Sequence, residues 1–227
     1  LLLETAEGPK DLHSGDGLGV SGLRGDRAFD NTKAPGMGIY GGDGYGRARH
    51  EKDDDSIDGL RSLTLQGWFM TASDTPICQA ARLLQNTGDF LLIGAYKPSG
   101  GTNGSLGFSL TKGNDYPCSS NKYISTKTWV FFAITYDGTS SFENIKFYMG
   151  TKEQPVELVS KHTIVDDYPR NQSGLLVLGA IPPPEPPKLC FQGYLDNIRI
   201  FGSKFSKKGV LRIEDLETIR KSDILNK

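Results

Sequence analysis

The chain is expected to be all-β: an antiparallel two-sheet jelly-roll sandwich closed by one short C-terminal helix. Three observations carry this. The 227 residues include 28 Gly and 12 Pro, which implies many turns and hence many short strands rather than a helical bundle. From Ser62 onward, alternating or apolar runs recur, each bounded by Gly, Pro, Asn, Asp or Ser. No helical period interrupts them before the tail.

Taken in order, residues 11–46 are Gly-rich and broken by turns, and 51–58 is an acidic run, so only short strands such as Arg27–Asp30 fit there. Strands are then predicted at Ser62–Met70, Asp89–Ile93, Ser105–Thr111, Trp129–Tyr136, Ile145–Met149, Leu175–Leu178 and Tyr194–Phe201. Trp129–Tyr136 is apolar on both faces, which predicts a central strand covered on both sides. Alternation in Ile145–Met149 points Ile145, Phe147 and Met149 inward and Lys146 and Tyr148 outward. Asp137-Gly138 signals a hairpin whose loop extends to Asn144. Five prolines within Ile181–Pro187 make that stretch a stiff surface loop, since proline fixes φ and lacks an N–H. Ile213, Leu216 and Ile219 among Glu214, Glu217, Arg220 and Lys221 read as one amphipathic helix.

Charge and cysteines bound the function. With 26 Lys+Arg against 27 Asp+Glu, net −1, no global attraction to nucleic acid or an anionic membrane is expected. The longest apolar run, Val130–Ile134, is far short of a membrane span, so no membrane insertion is expected. Leu1–Leu3 lacks the features of a signal peptide and reads as a mature or trimmed start. Cys78, Cys118 and Cys190 show no zinc spacing. A Cys78–Cys118 bridge and three reduced thiols are both open readings. A sheet-borne glycosidase needs two carboxylates roughly 5 to 9 Å apart. Only Asp89 and Asp196 lie in the seven strands predicted from Ser62 onward. His13, His50 and His162 form no zinc-protease motif, and no Gly-x-Ser-x-Gly elbow occurs. The two Gly-x-Gly-x-x-Gly matches, at 17–22 and 36–41, neither follow a strong strand nor open a helix, which rejects dinucleotide binding. The chain is therefore read as not an enzyme.

The ordered set Ser62-Leu-Thr-Leu-Gln-Gly-Trp-Phe69, Thr128-Trp-Val-Phe-Phe-Ala-Ile-Thr-Tyr-Asp-Gly138, Ile145-Lys-Phe-Tyr-Met-Gly150, Leu176-Val-Leu-Gly179 and Phe191-Gln-Gly-Tyr-Leu-Asp-Asn-Ile-Arg-Ile-Phe201 resembles the laminin-G-like jelly-roll domains of the concanavalin A-like lectin/glucanase superfamily. Ala28–Asn31 and the trailing helix extend the match to about 28–220. This suggests a single domain over 1–227, with a core at about 28–220 and a Gly-rich leading segment at 8–46. One departure stands out: Lys146-Phe-Tyr-Met-Gly-Thr151 runs where the family usually has an Asn-Gly turn. The resemblance implies a carbohydrate-binding, adhesion or spacer domain in a secreted or cell-surface, multidomain protein. It also implies one structural Ca2+ near the start of the last strand.

Alternation in Tyr194–Phe201 groups Tyr194 and Asp196 with Ile198 and Ile200 on a buried face, where a carboxylate must be paired, hydrogen-bonded or metal-bound. Asp196 with Asp30 or Asn31 and backbone carbonyls would form the implied calcium site; the alternative is Asp196 accepting backbone N–H groups. Residues 54–59 match part of an EF-hand loop but have Leu65 at the twelfth position and read as a solvated acidic loop. Sugars are held by aromatic faces beside planar polar groups. Loops 94–104 and 113–123 offer Tyr96, Asn103, Asp115 and Tyr116 as ligand contacts. The outward strand residues Gln66, Tyr148, Asn197 and Arg199 offer a second surface, while Trp68 and Trp129 are read as core. The expected function is a non-catalytic carbohydrate-binding module with a glycan or extracellular protein as partner. The alternative is an adhesion or spacer domain.

Overall fold

The computed structural model describes residues 2–5, 8–11, 13–14, 18–21, 27–30, 48–49, 59–71, 80–86, 92–96, 105–110, 127–164, 176–179, 191 and 193–225. The strands run β1 (Leu2–Thr5), β2 (Gly8–Asp11), β3 (His13–Ser14), β4 (Leu18–Ser21), β5 (Arg27–Asp30), β6 (Ala48–Arg49), β7 (Ser62–Thr71), β8 (Ala80–Asn86), β9 (Leu92–Tyr96) and β10 (Ser105–Ser109). They continue as β11 (Val130–Asp137), β12 (Ile145–Thr151), β13 (Glu157–His162), β14 (Leu176–Leu178) and β15 (Gly193–Ser203), followed by a 3-10 turn at Lys207–Gly209 and helix α1 (Ile213–Leu225).

Apart from the β1–β2 hairpin, the strands form a six-stranded sheet, β10-β9-β8-β14-β6-β3, and a seven-stranded sheet, β13-β12-β11-β7-β15-β5-β4. The described pairings are all antiparallel. One core cluster draws on both sheets: Leu63, Leu65, Phe69, Phe132, Ile134, Phe147 and Leu195 from the larger, Leu84, Leu106, Phe108 and Leu178 from the smaller. This is the expected sandwich, and burying each such side chain is worth about 1.5–3 kcal/mol.

β11 is central and buried on both faces, as its double-sided apolarity predicts. The hairpin loop between β11 and β12 closes with Asp137 N–H donating to Asn144 O at 2.8 Å. Before Ser62 the sequence singled out β5 but not β1, β2, β3, β4 or β6, and after it two more strands escape the periodicity. β8 has an Ala-Arg-Leu-Leu-Gln texture more typical of helices, and β13 is a polar, half-exposed edge strand. β9 is described as Leu92–Tyr96, and residues 89–91 of the predicted strand lie outside the described residues.

A second cluster lies on the other side of the seven-stranded sheet. Trp68, Trp129, Phe131, Ala133 and Tyr148 pack there against Leu216, with Ile213, Ile219 and Ile224 of α1 alongside. Both tryptophans are core, and the amphipathic tail closes the domain as read.

Candidate functional site

The outer face of the seven-stranded sheet is the first place to look, and α1 closes it. Three alternate-face residues of β7, Ser62, Thr64 and Trp68, are tied to the tail, whereas Gln66 between them is buried without a hydrogen-bond partner. Ser62 Oγ donates to Ser206 O at 2.6 Å and accepts Gly209 N–H at 2.9 Å. Thr64 Oγ1 donates to Gly209 O at 2.7 Å and accepts Leu211 N–H at 2.9 Å. Trp68 Nε1 donates to Asp223 Oδ2 at 2.9 Å. Arg199 grips the same carboxylate with two bonds, Nη2 to Oδ1 at 2.8 Å and Nη1 to Oδ2 at 3.0 Å. The proposed sugar-binding surface of Gln66, Tyr148, Asn197 and Arg199 is thus corrected. Gln66 and Tyr148 are buried and Arg199 is spent on the helix. The signal in the sequence was the apolar stripe of α1 itself, which needs a sheet face to cover.

Alternation along β15 is also corrected. Pairing with β7 slips between Asp196 and Arg199, so that Asn197 and Ile198 together oppose Gly67. Asn197 takes φ 47, the left-handed region that Asn tolerates better than most residues. A Cβ on Gly67 would lie 2.3 Å from Ile198 Cδ1 and 3.1 Å from Ile198 Cα, so a side chain there would make the bulged Ile198 shift. Tyr194 and Asp196 therefore share the helix-side face with Trp68, whereas Ile198 and Ile200 belong to the sandwich core. Asp196 is nonetheless buried, 5% exposed, and its Oδ1 accepts Asn197 N–H at 2.8 Å. Asp30 stands opposite Tyr194, two residues from Asp196 in register. Asp196 offers the oxygen donor that calcium takes, and among the described residues no group of three or more His, Cys, Asp or Glu gathers that could hold a metal ion.

The β12–β13 turn builds a cavity. Thr151 Oγ1 accepts the N–H groups of Glu153 (3.2 Å) and Gln154 (3.0 Å). Arg220 reaches over from α1 and donates to the carbonyls of Thr151 and Lys152. Glu217 receives Arg220 Nε at 2.8 Å and Val156 N–H at 2.9 Å. The Arg220 guanidinium holds the Glu217 carboxyl down at about 2, against the opposing effect of burial. Thus clamped, the turn walls a cavity of about 370 Å3. Val130, Met149 and Val159 form its apolar lining, and Thr128, Glu153, Gln154 and Glu157 its polar one. The apolar lining is buried or half-buried, whereas Glu153, Gln154 and Glu157 are exposed. The departure at Lys146–Thr151 was the visible signal: β12 runs on to Thr151 and turns later, around Pro155.

Of the ligand residues read from the sequence, Tyr96 ends β9, opposite Ser105 and Ala80. Asn103, Asp115 and Tyr116 lie outside the described residues, as do Asn31, the three cysteines, residues 54–58 and 181–187.

At the level of sequence, a laminin-G model described as the concanavalin A-like lectin/glucanases superfamily matches residues 41–210. A search of curated proteins found no match. Among solved structures, a pentraxin resembling serum amyloid P from Limulus polyphemus has 13% identity and a TM-score of 0.53, over 85% of this chain and 80% of that one. Domain 4 of an extracellular arabinanase from Geobacillus stearothermophilus, solved in complex with arabinotriose, has 15% identity and a TM-score of 0.54, over 92% and 88%. The receptor-binding domain of botulinum neurotoxin mosaic serotype C/D has 12% identity and a TM-score of 0.59, over 95% of this chain but 46% of that one. At such identities these likenesses speak for the fold. With three quarters of its length under the family model and two antiparallel sheets around one core, the chain belongs to the concanavalin A-like lectin/glucanases superfamily.

Proposed function

We propose that this chain is a non-catalytic recognition module for glycans in a secreted or cell-surface protein. The observation that carries the reading is the cavity beside the β12–β13 turn, whose apolar lining meets exposed carboxylate, amide and hydroxyl groups. A sugar ring needs such a two-sided surface, with C–H faces on one side and hydroxyls on the other. About 370 Å3 suits a short stretch of sugar rather than a long chain. Glu153 and Glu157 favour neutral sugars over acidic ones. The arabinotriose complex of a similarly folded domain supports the same class of ligand. Tyr96, Asn103, Asp115 and Tyr116 enter this reading as further contacts from the loops. A calcium ion held by Asp196 with Asp30 or Asn31 would be structural, tying the last strand to β5.

Absence of catalysis is part of the reading. Glu153 and Glu157 are both solvent-exposed, whereas an acid catalyst needs an apolar enclosure. Asp223 and Glu217 are each committed to an arginine. Affinity electrophoresis through neutral and acidic polysaccharide gels, with calcium and with chelator, tests the reading. Retardation by a neutral polysaccharide that falls at least tenfold in Glu157→Lys or Tyr116→Ala is expected. Silence on all glycans would turn the assignment to the adhesion or spacer alternative, and hydrolysis of any polysaccharide would refute the non-catalytic part.

A further inference from the structure

At the far end of the seven-stranded sheet from the cavity, two loops lie side by side. Gly138 N–H donates to Arg61 O at 2.7 Å, and Arg61 N–H donates to Ser203 O at 2.9 Å, joining the β11–β12 loop to the turn after β15. Each loop holds a phenylalanine out in solvent. Phe142 is 70% exposed and Phe205 91%, whereas Phe69, Phe108, Phe131, Phe132, Phe147 and Phe191 are all buried. Neither loop is slack. Ser140 Oγ donates to Phe142 O at 2.8 Å, and Asn144 bonds both Ser140 O and Ile164. Ser203 Oγ accepts the N–H groups of Phe205 (3.4 Å) and Ser206 (3.1 Å), and Ser206 Oγ accepts Lys208 N–H at 3.3 Å.

The surroundings are basic. Residues 202–210 carry Lys204, Lys207 and Lys208 and no acid, and the exposed Arg61 adjoins them. Of the two acids in the neighbouring loop, Glu143 is paired with Lys161 at 2.8 Å and Asp137 accepts the N–H and Oγ1 of Thr139. Although the chain as a whole is near neutral, the described residues at this end carry a basic excess.

We infer that this end docks peripherally on an anionic lipid surface, Phe142 and Phe205 entering the interfacial layer while Arg61, Lys207 and Lys208 meet the phosphates. Isolated aromatic tips ringed by lysine suit a fluid surface, which needs no preformed pocket. A protein interface would call instead for a contiguous patch. Among the described residues no helix is long and apolar enough to cross a bilayer. Val130 and Asp137 mark opposite ends of β11, so docking holds the cavity about 25 Å from the lipid.

The full chain is sedimented with vesicles of phosphatidylcholine alone and of phosphatidylcholine mixed with phosphatidylserine. Binding to the mixed vesicles, weakened by added salt, is expected. Phe205→Ala and Phe142→Ala should each reduce it about tenfold, and Lys207→Glu about fivefold, with melting temperatures unchanged because all three side chains are exposed. Three outcomes overturn the inference: no sedimentation with either vesicle; binding indifferent to both phenylalanines; or equal binding to phosphatidylcholine alone, as would follow if the acidic run at 51–58, which lies outside the described residues, cancels the lysines. Retention on heparin without vesicle binding also overturns it and assigns the charge to a polyanionic chain.

Discussion

The two faces of the seven-stranded sheet are both closed, by different means. Toward the second sheet, Leu63, Leu65, Phe69, Phe132, Ile134 and Phe147 meet other apolar side chains, and their packing is non-directional. Toward α1, apolar contacts are interleaved with directed bonds from Ser62, Thr64 and Trp68 to residues more than 140 positions later in the chain. The first face needs volume and patterning. The second also needs particular atoms at particular distances, since a buried donor or carboxylate without its partner costs stability. The contrast explains why the chain's tail has one seat on the sheet rather than a choice of several.

Mutations can break or sharpen this contrast. The largest effect is expected on the inner face, where Phe132→Ala should cost about 3–5 kcal/mol in urea unfolding, while Phe132→Leu costs much less because the face reads volume. On the outer face, Asp223→Ala strands both Arg199 and Trp68 Nε1 and should cost about 2–3 kcal/mol. Asp223→Leu should be no better than Asp223→Ala; if filling volume restores stability there, the two faces follow one rule and the contrast is lost. The smallest effect is a dependence on pH. Glu217 is held at about 2 in the fold, below the ordinary value of 4.5, so its contribution is complete above about pH 4.5 and declines as pH falls toward 2. Acid titration of wild type and Glu217→Gln should converge below pH 2, and curves that stay parallel throughout would remove Glu217 from the clamp on the cavity wall.

Much of this was legible in the chain as written. The double-sided apolarity of β11, the inward set Ile145, Phe147 and Met149, and the stripe of α1 follow from side-chain periods of two and about 3.6. Asp196 was correctly read as buried, but for the wrong face, because a bulge shifts the alternation by one residue. Gly67 within a strand was a hint of that bulge, and only its three-dimensional opposite, Ile198, gives it meaning. The cavity escaped notice because its lining comes from β11, β12, the β12–β13 turn and β13 together.

Local chemistry thus decided the strands, the central position of β11, the core residues and the helix, since these depend on near neighbours and on burying apolar area. Tertiary structure alone decided which face Asp196 occupies, that α1 seals the outward surface, that Arg220 props a turn 69 residues before it, and that the loops bearing Phe142 and Phe205 come to the same end of the sheet. Those facts rest on register and on contacts between distant segments, and a one-residue slip in either leaves the local pattern unchanged while moving every side chain to the other side.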